Sequence, residues 1–179
     1  MALHYANRVT KTNTERGVAI IYRDDDIGKY TDLTTIMNIH ELFLEHDKIH
    51  TVTILTDELW SSRGVWEWLT TTPNLDIALH GSCHWDYSGL DYESILTDLG
   101  ICLDDWKKHN SRMGVDIPID TFYPPWNKVC PDLFRACETL GLMVNDSVDE
   151  KEVFNFHWWE FIGGRNLEAL EERLKNDTT

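Results

Sequence analysis

No apolar run in this sequence approaches the roughly 20 residues that cross a bilayer, so no membrane span is expected. Positive charge is scarce: 16 Lys and Arg stand against 31 Asp and Glu, a formal net charge of -15. Such a chain repels phosphates, so no nucleic acid is expected as a partner, and a neutral or cationic substrate fits better. The four cysteines, Cys83, Cys102, Cys130 and Cys137, lack the short paired spacing of a zinc finger and read as reduced, small apolar fillers. Residues 1–17 contain no apolar core of the secretory kind. The expectation is a cytoplasmic start, with release to a cell envelope or a virion left open. Internal repeats, low-complexity segments and a domain-splitting linker are all missing.

What is present is enough for one folded domain. The 179 residues are 42% hydrophobic, with 8 Trp, 6 Tyr and 6 Phe, which suits a buried core and argues against disorder. Residues 1–17 read as a polar lead-in and 18–179 as a single domain; oligomeric state is not legible. The run VAIIY at 18–22 is continuous and apolar, as in strands buried on both faces. A helix follows over 31–46, with Leu33, Ile36, Met37, His40, Phe43 and Leu44 on one face and Thr31 or Asp32 as its cap. Further strands are expected at 51–55, 75–79, 119–123, 142–144 and 153–161. Further helices are expected at 62–70, 91–109, 131–140 and after Asn166. Pro131 suits a helix start and Gly141 a helix stop. Alternation of this kind predicts a parallel sheet or barrel with helices outside.

The polar residues cluster where these strands end. LDIALHGSCHWDYSGL, 75–90, finishes a strand and then sets His80 and His84 four residues apart with only Gly, Ser and Cys between them. A helical turn there would place both imidazoles on one face, able to grip one metal ion. Asp24, Asp25 and Asp26 close the first strand. Three adjacent carboxylates repel one another unless a cation intervenes. They form either a solvated acidic cap for the next helix or a metal ligand beside a general base. A Pro124-Pro125-Trp126-Asn127 loop follows the fourth strand, and His157 lies on the sixth. Parallel folds build their sites at such strand ends. One Asp and two His make a good three-ligand set for a catalytic divalent ion. A neighbouring carboxylate can then act as base and a further His as acid.

These segments resemble the polysaccharide deacetylase superfamily, that is, the NodB homology or carbohydrate esterase family 4 domain. Its motifs read T-F-D-D, H-[ST]-x-x-H, R-x-P-[YF] and L-x-H. Here they correspond to Arg23-Asp24-Asp25-Asp26-Ile27, His80-Gly81-Ser82-Cys83-His84, Tyr123-Pro124-Pro125-Trp126 and Asn155-Phe156-His157. The resemblance covers 18–161 and implies an α/β fold, a distorted, incomplete (β/α) barrel. It further implies metal-dependent removal of N- or O-linked acetyl groups from a carbohydrate or glycan. In this reading Asp25 is the base, Asp26, His80 and His84 hold Zn2+ (or Co2+, Ni2+ or Mn2+), and His157 is the acid. A register one residue earlier would make Asp24 the base and Asp25 the ligand. Tyr123, Pro125, Trp126 and Trp85 are expected to bind substrate, the Trp126 amide helping with the oxyanion and Tyr123 a second candidate there; Trp158 and Trp159 also adjoin a motif. Tyr123 stands where the family has Arg, the residue that contacts the base; Arg23 and Lys128 are the available substitutes. Asp146 is the nearest candidate for a residue tuning the acid. An amidase or cyclic-imide hydrolase on the same scaffold, or an inactive carbohydrate-binding module, are the alternatives.

Overall fold

The computed structural model describes residues 20–146 and 152–177. The expected lead-in, 1–17, lies outside the described residues. Among the described residues six strands form one parallel sheet: β1 (Ile21–Ile27), β2 (His50–Ile54), β3 (Leu75–Leu79), β4 (Thr121–Phe122), β5 (Met143–Val144) and β6 (Val153–His157). Their order is β5-β4-β3-β2-β1-β6. Helices α1 (Leu33–Glu45), α2 (Arg63–Thr71), α3 (Tyr92–Met113), α4 (Pro131–Leu140) and α5 (Leu167–Asn176) supply the crossovers and the outer layer. The sheet is parallel with helices outside, as the alternation of strand and helix predicted, and it is curled and open, an incomplete (β/α) barrel as the family resemblance implied. Among the described residues no helix is long and apolar enough to cross a membrane.

β1 runs further than its apolar sequence suggested, continuing through the acidic triplet to Ile27; residues 18–19 of the expected strand lie outside the described residues. It lies between β2 and β6, so both of its edges are paired. Side chains alternate across it. Tyr22 packs edge-on against Phe43 of α1, with ring centroids 5.6 Å apart. Arg23 and Asp25 point to the opposite, concave face, where Thr53 of β2 and Asn155 of β6 meet them. Charge is tolerated inside this strand because its neighbours supply partners.

Helix boundaries follow local chemistry. The Asp32 carboxylate caps α1 by accepting the Thr35 amide at 2.7 Å. The Thr35 hydroxyl, and then that amide bond, lower the Asp32 pKa. Ile36, Ile39, His40 and Phe43 form the buried face; Met37 and Leu44, expected on it, face solvent. Pro131 opens α4 and Gly141 closes it at φ 74. β6 stops at His157, short of the expected 161, because the chain turns into a 3-10 stretch, Trp158–Gly164. The Glu160 side chain starts that turn by accepting the His157 amide.

Candidate active site

Three side chains from two strand ends converge. The Asp26 Oδ1 lies 3.4 Å from the His80 Nε2 and 3.6 Å from the His84 Nε2. The two histidines do not share a helical face. The chain leaves β3 through Gly81 at φ +103 and loops back, so the convergence is a loop geometry and not an i, i+4 pair. Asp26 sits at a bulge in the β1–β2 register, with φ +64. The bulge breaks the alternation of β1 and turns the Asp26 carboxylate toward the histidines.

The chemistry of this trio suits a cation. The His80 Nδ1 is 2.6 Å from the Tyr123 carbonyl, which only accepts, so Nδ1 carries the proton. Burial lowers the His80 pKa, against the opposing pull of Asp25 and Asp26, which leaves Nε2 as a bare lone pair. That lone pair and the Asp26 Oδ1 are both buried and have no hydrogen-bond partner among the described residues. Two acceptors facing each other out of water are costly unless something positive lies between them. The ligating atoms of Asp26, His80 and His84 lie within 4.8 Å of one another and can hold a divalent ion.

Beside the trio, Asp25 is clamped from several directions. Its Oδ1 is 2.9 Å from the Arg23 Nε and accepts from the Thr53 hydroxyl at 2.8 Å. Its Oδ2 accepts from the Arg23 Nη2 at 2.9 Å and from the Asn155 amide at 2.5 Å. Arg23 also donates to the Asn127 side chain at 3.0 Å and lies over the Tyr123 ring, 4.8 Å from its centroid. Of Arg23 and Lys128, Arg23 is the one that contacts Asp25. Lys128 instead pairs with Asp86 at the surface. Tyr123 is buried, contributing its carbonyl to His80 and its ring to Arg23; burial pushes its phenol up to about 12.

Asp24 faces away from this site. It is fully buried against α1, with its Oδ2 3.6 Å from the His50 Nε2. The His50 Nδ1 meets the His40 Nδ1 at 3.3 Å, and the His40 Nε2 reaches the Pro73 carbonyl at 3.0 Å. Burial, then the neighbouring Asp25, pushes the Asp24 carboxyl up, and burial drives His50 well below the ordinary imidazole range. With neutral rings, the His40 Nε2 donates to the Pro73 carbonyl and the His40 Nδ1 accepts from the His50 Nδ1, while the Asp24 Oδ2 and the His50 Nε2 face each other without a hydrogen bond among the described residues.

The His157 Nε2 lies 3.9 Å from the other Asp26 oxygen, Oδ2. Its Nδ1 is 3.0 Å from the Glu160 Oε1, and its ring stacks on Trp159 at 4.4 Å. Glu160 therefore orients His157, and Asp146, the sequence candidate for that task, is exposed on another loop. The signal for Glu160 was a carboxylate three residues past the histidine at the start of a helical turn. Trp126 (64% exposed, φ +60) turns its ring edge to His84 at 4.5 Å, and Trp85 and Trp159 are also exposed. Pro125 and Trp158 are buried. A second cluster, Glu45, His46 and Glu171, joins α1 to α5, and there Lys175 already occupies Glu171.

No family model matches the chain, and no curated protein does. Solved structures do. A family 4 carbohydrate esterase from Bacillus anthracis is 16% identical over 89% of this chain and 75% of its own, with a TM-score of 0.67. The peptidoglycan deacetylase PdaC from Bacillus subtilis is 14% identical over 89% and 82%, with a TM-score of 0.63. The chain has the fold of the family 4 carbohydrate esterases. A pseudoenzyme of that family, also from Bacillus anthracis, is 11% identical with a TM-score of 0.67. The match covers 90% of this chain but only 62% of the pseudoenzyme's length.

Proposed function

We propose that the protein is a divergent member of the family 4 carbohydrate esterase group and a metal-dependent hydrolase that removes acetyl groups from a carbohydrate. The observation that carries this reading is the pair of buried acceptors, Asp26 Oδ1 and His80 Nε2, facing each other beside His84 with no hydrogen-bond partner among the described residues. Asp26, His80 and His84 would hold the ion, and their mixed oxygen and nitrogen donors favour Zn2+, with Co2+, Ni2+ and Mn2+ also compatible. A divalent ion held there supplies Lewis acidity to the acyl carbonyl and to the attacking water.

In this reading Asp25 takes the proton of the water. Arg23, Thr53 and Asn155 fill its lone pairs, so proton uptake requires one donor to give way. Asn155, the exposed one of the three, is the donor able to swing aside. His157, held through Nδ1 by Glu160, delivers a proton from Nε2 to the departing nitrogen or oxygen. The Trp126 amide is the candidate donor to the oxyanion. Trp85, Trp126 and Trp159 offer flat apolar faces to a sugar ring.

The test is metal content by elemental analysis on wild type and His80→Ala, followed by an acetate-release screen. About one transition metal per chain, lost in the variant, with acetate released from acetylated oligosaccharides, supports the proposal. Turnover of small amides or cyclic imides alone would move it to an amidase on the same scaffold. Metal and glycan binding without turnover would make it an inactive module, a reading favoured by the similarity to a pseudoenzyme and by Tyr123 in place of the family's arginine. No metal in wild type, even after soaking in Zn2+, would overturn it.

A further inference from the structure

The loop between the two histidines has no helical hydrogen bonds to set its shape, yet His80 and His84 must arrive within a few tenths of an ångström of a common point. Its backbone is tied at one side to the segment after β2: the Thr56 amide donates to the Gly81 carbonyl at 3.0 Å and the Asp57 amide to the Ser82 carbonyl at 2.8 Å. On the other side stands one carboxylate from α3. The Asp98 Oδ1 accepts the Ser82 hydroxyl at 2.6 Å, and its Oδ2 accepts the Tyr87 hydroxyl at 2.5 Å. Both are short, charge-assisted bonds.

Tyr87 is fully buried, packed edge-on against Phe122 of β4 at 5.5 Å, so its hydroxyl is a fixed point. Burial and then the Asp98 charge push its phenol far above the ordinary range, so it remains a donor. That hydroxyl fills the space where a side chain at position 81 would lie: a Cβ on Gly81 would come within 2.2 Å of it. At position 81, where the family motif has Ser or Thr, this chain has Gly beside the Tyr87 hydroxyl, and Ser82 carries the hydroxyl that meets Asp98.

We infer that Asp98 is a positioning residue for the metal centre, clasping Ser82 and Tyr87 so that the loop presents His80 and His84 to Asp26. This rests on the metal-site reading above. Outer partners of metal ligands set affinity as well as orientation, and their loss typically weakens binding about 10–100-fold. The α3 carboxylate acts one step further out, through the loop that carries both ligands.

The experiment measures equilibrium Zn2+ affinity by competition with a chromophoric chelator, together with the visible absorption spectrum of the Co2+-loaded protein and the Tm of the metal-free protein. It compares wild type with Asp98→Asn, Ser82→Ala, Ser82→Thr and Tyr87→Phe. The expected result is a loss of about 10–100-fold in affinity for Asp98→Asn and Ser82→Ala in protein still folded at the assay temperature, with an altered Co2+ spectrum. Ser82→Thr, which keeps the hydroxyl, should restore affinity and spectrum. Ser82→Ala decides the matter if Asp98→Asn does not fold. Wild-type affinity and an unchanged Co2+ spectrum in Ser82→Ala, with only a lower Tm, would overturn the inference and leave the metal site standing. A wild type that takes up no Zn2+ would overturn the metal-site reading and this inference with it.

Discussion

The Arg23 guanidinium touches both oxygens of Asp25, Nε to Oδ1 and Nη2 to Oδ2, each at 2.9 Å, two residues apart on one strand. The pair is almost completely buried. Truncating the guanidinium leaves a buried carboxylate without its counter-charge, which typically costs about 3–5 kcal/mol. Arg23→Met should lower stability by roughly that amount. Arg23→Lys keeps the charge but not the two-pronged geometry; it should retain Zn2+ uptake and lose turnover. Chemical unfolding and acetate release measured side by side check this. Full activity in Arg23→Lys would show that the clamp is not needed for the chemistry.

Removing the proposed acid should separate chemistry from metal binding. His157 faces Asp26 Oδ2, while the trio uses Oδ1, so His157→Ala should keep its metal and lose about 10²–10⁴-fold in kcat. Glu160→Gln keeps a contact to the imidazole but removes the charge that orients it, and its kcat should fall less. Equal metal content with wild-type kcat in His157→Ala would make the acid assignment wrong.

The glycine after His80 gives a stability test. Gly81 is at φ +103, and a Cβ there would approach the buried Tyr87 hydroxyl to 2.2 Å. Gly81→Ala combines backbone strain with a clash against a packed ring, so its Tm should drop by several degrees. The double variant Gly81→Ala/Tyr87→Phe should recover part of that loss by removing the clashing oxygen. No recovery would place the penalty in the backbone angle and in the ring carbons that remain, 3.0 and 3.1 Å from the added Cβ.

The Asp24–His50 pair predicts opposite pH slopes that single substitutions uncover. Folded His50 resists the proton that the unfolded chain accepts below the ordinary 6.5, so its contribution to stability is lost as pH falls from there. Folded Asp24 holds its proton above the ordinary 3.8, so its contribution is lost as pH rises from there. Each slope is up to about 1.4 kcal/mol per pH unit, and in wild type the two oppose each other between those values. Asp24→Asn should therefore lose stability on acidification from pH 6.5 more steeply than wild type. His50→Gln should gain stability over the same range. Urea unfolding at a series of pH values reads both; parallel slopes in all three proteins would rule out this titration.

Much of the architecture was legible along the chain. Period and punctuation marked the strand–helix alternation, and Pro131 and Gly141 bounded α4, because these are local preferences of the backbone. The acidic triplet and the H-x-x-x-H pair named the residues that meet at the strand ends. Only the tertiary structure chose among the three aspartates. The alternation of β1 sends Asp24 to the helix layer beside His50, and the bulge at Asp26 delivers the third carboxylate to His80 and His84. Sequence spacing suggested a helical turn for the two histidines; the loop that joins them is instead held by Asp98, sixteen positions beyond Ser82. The partners of Asp25 and His157 were equally invisible. Arg23 stood next to the motif without a direction, and Glu160 looked like one surface carboxylate among many. Composition and motif order specify which chemical groups are available and which strand ends carry them. Which face each group turns to, and which distant residue neutralises or orients it, depends on sheet register, bulges and crossovers, and those exist only once the chain is packed.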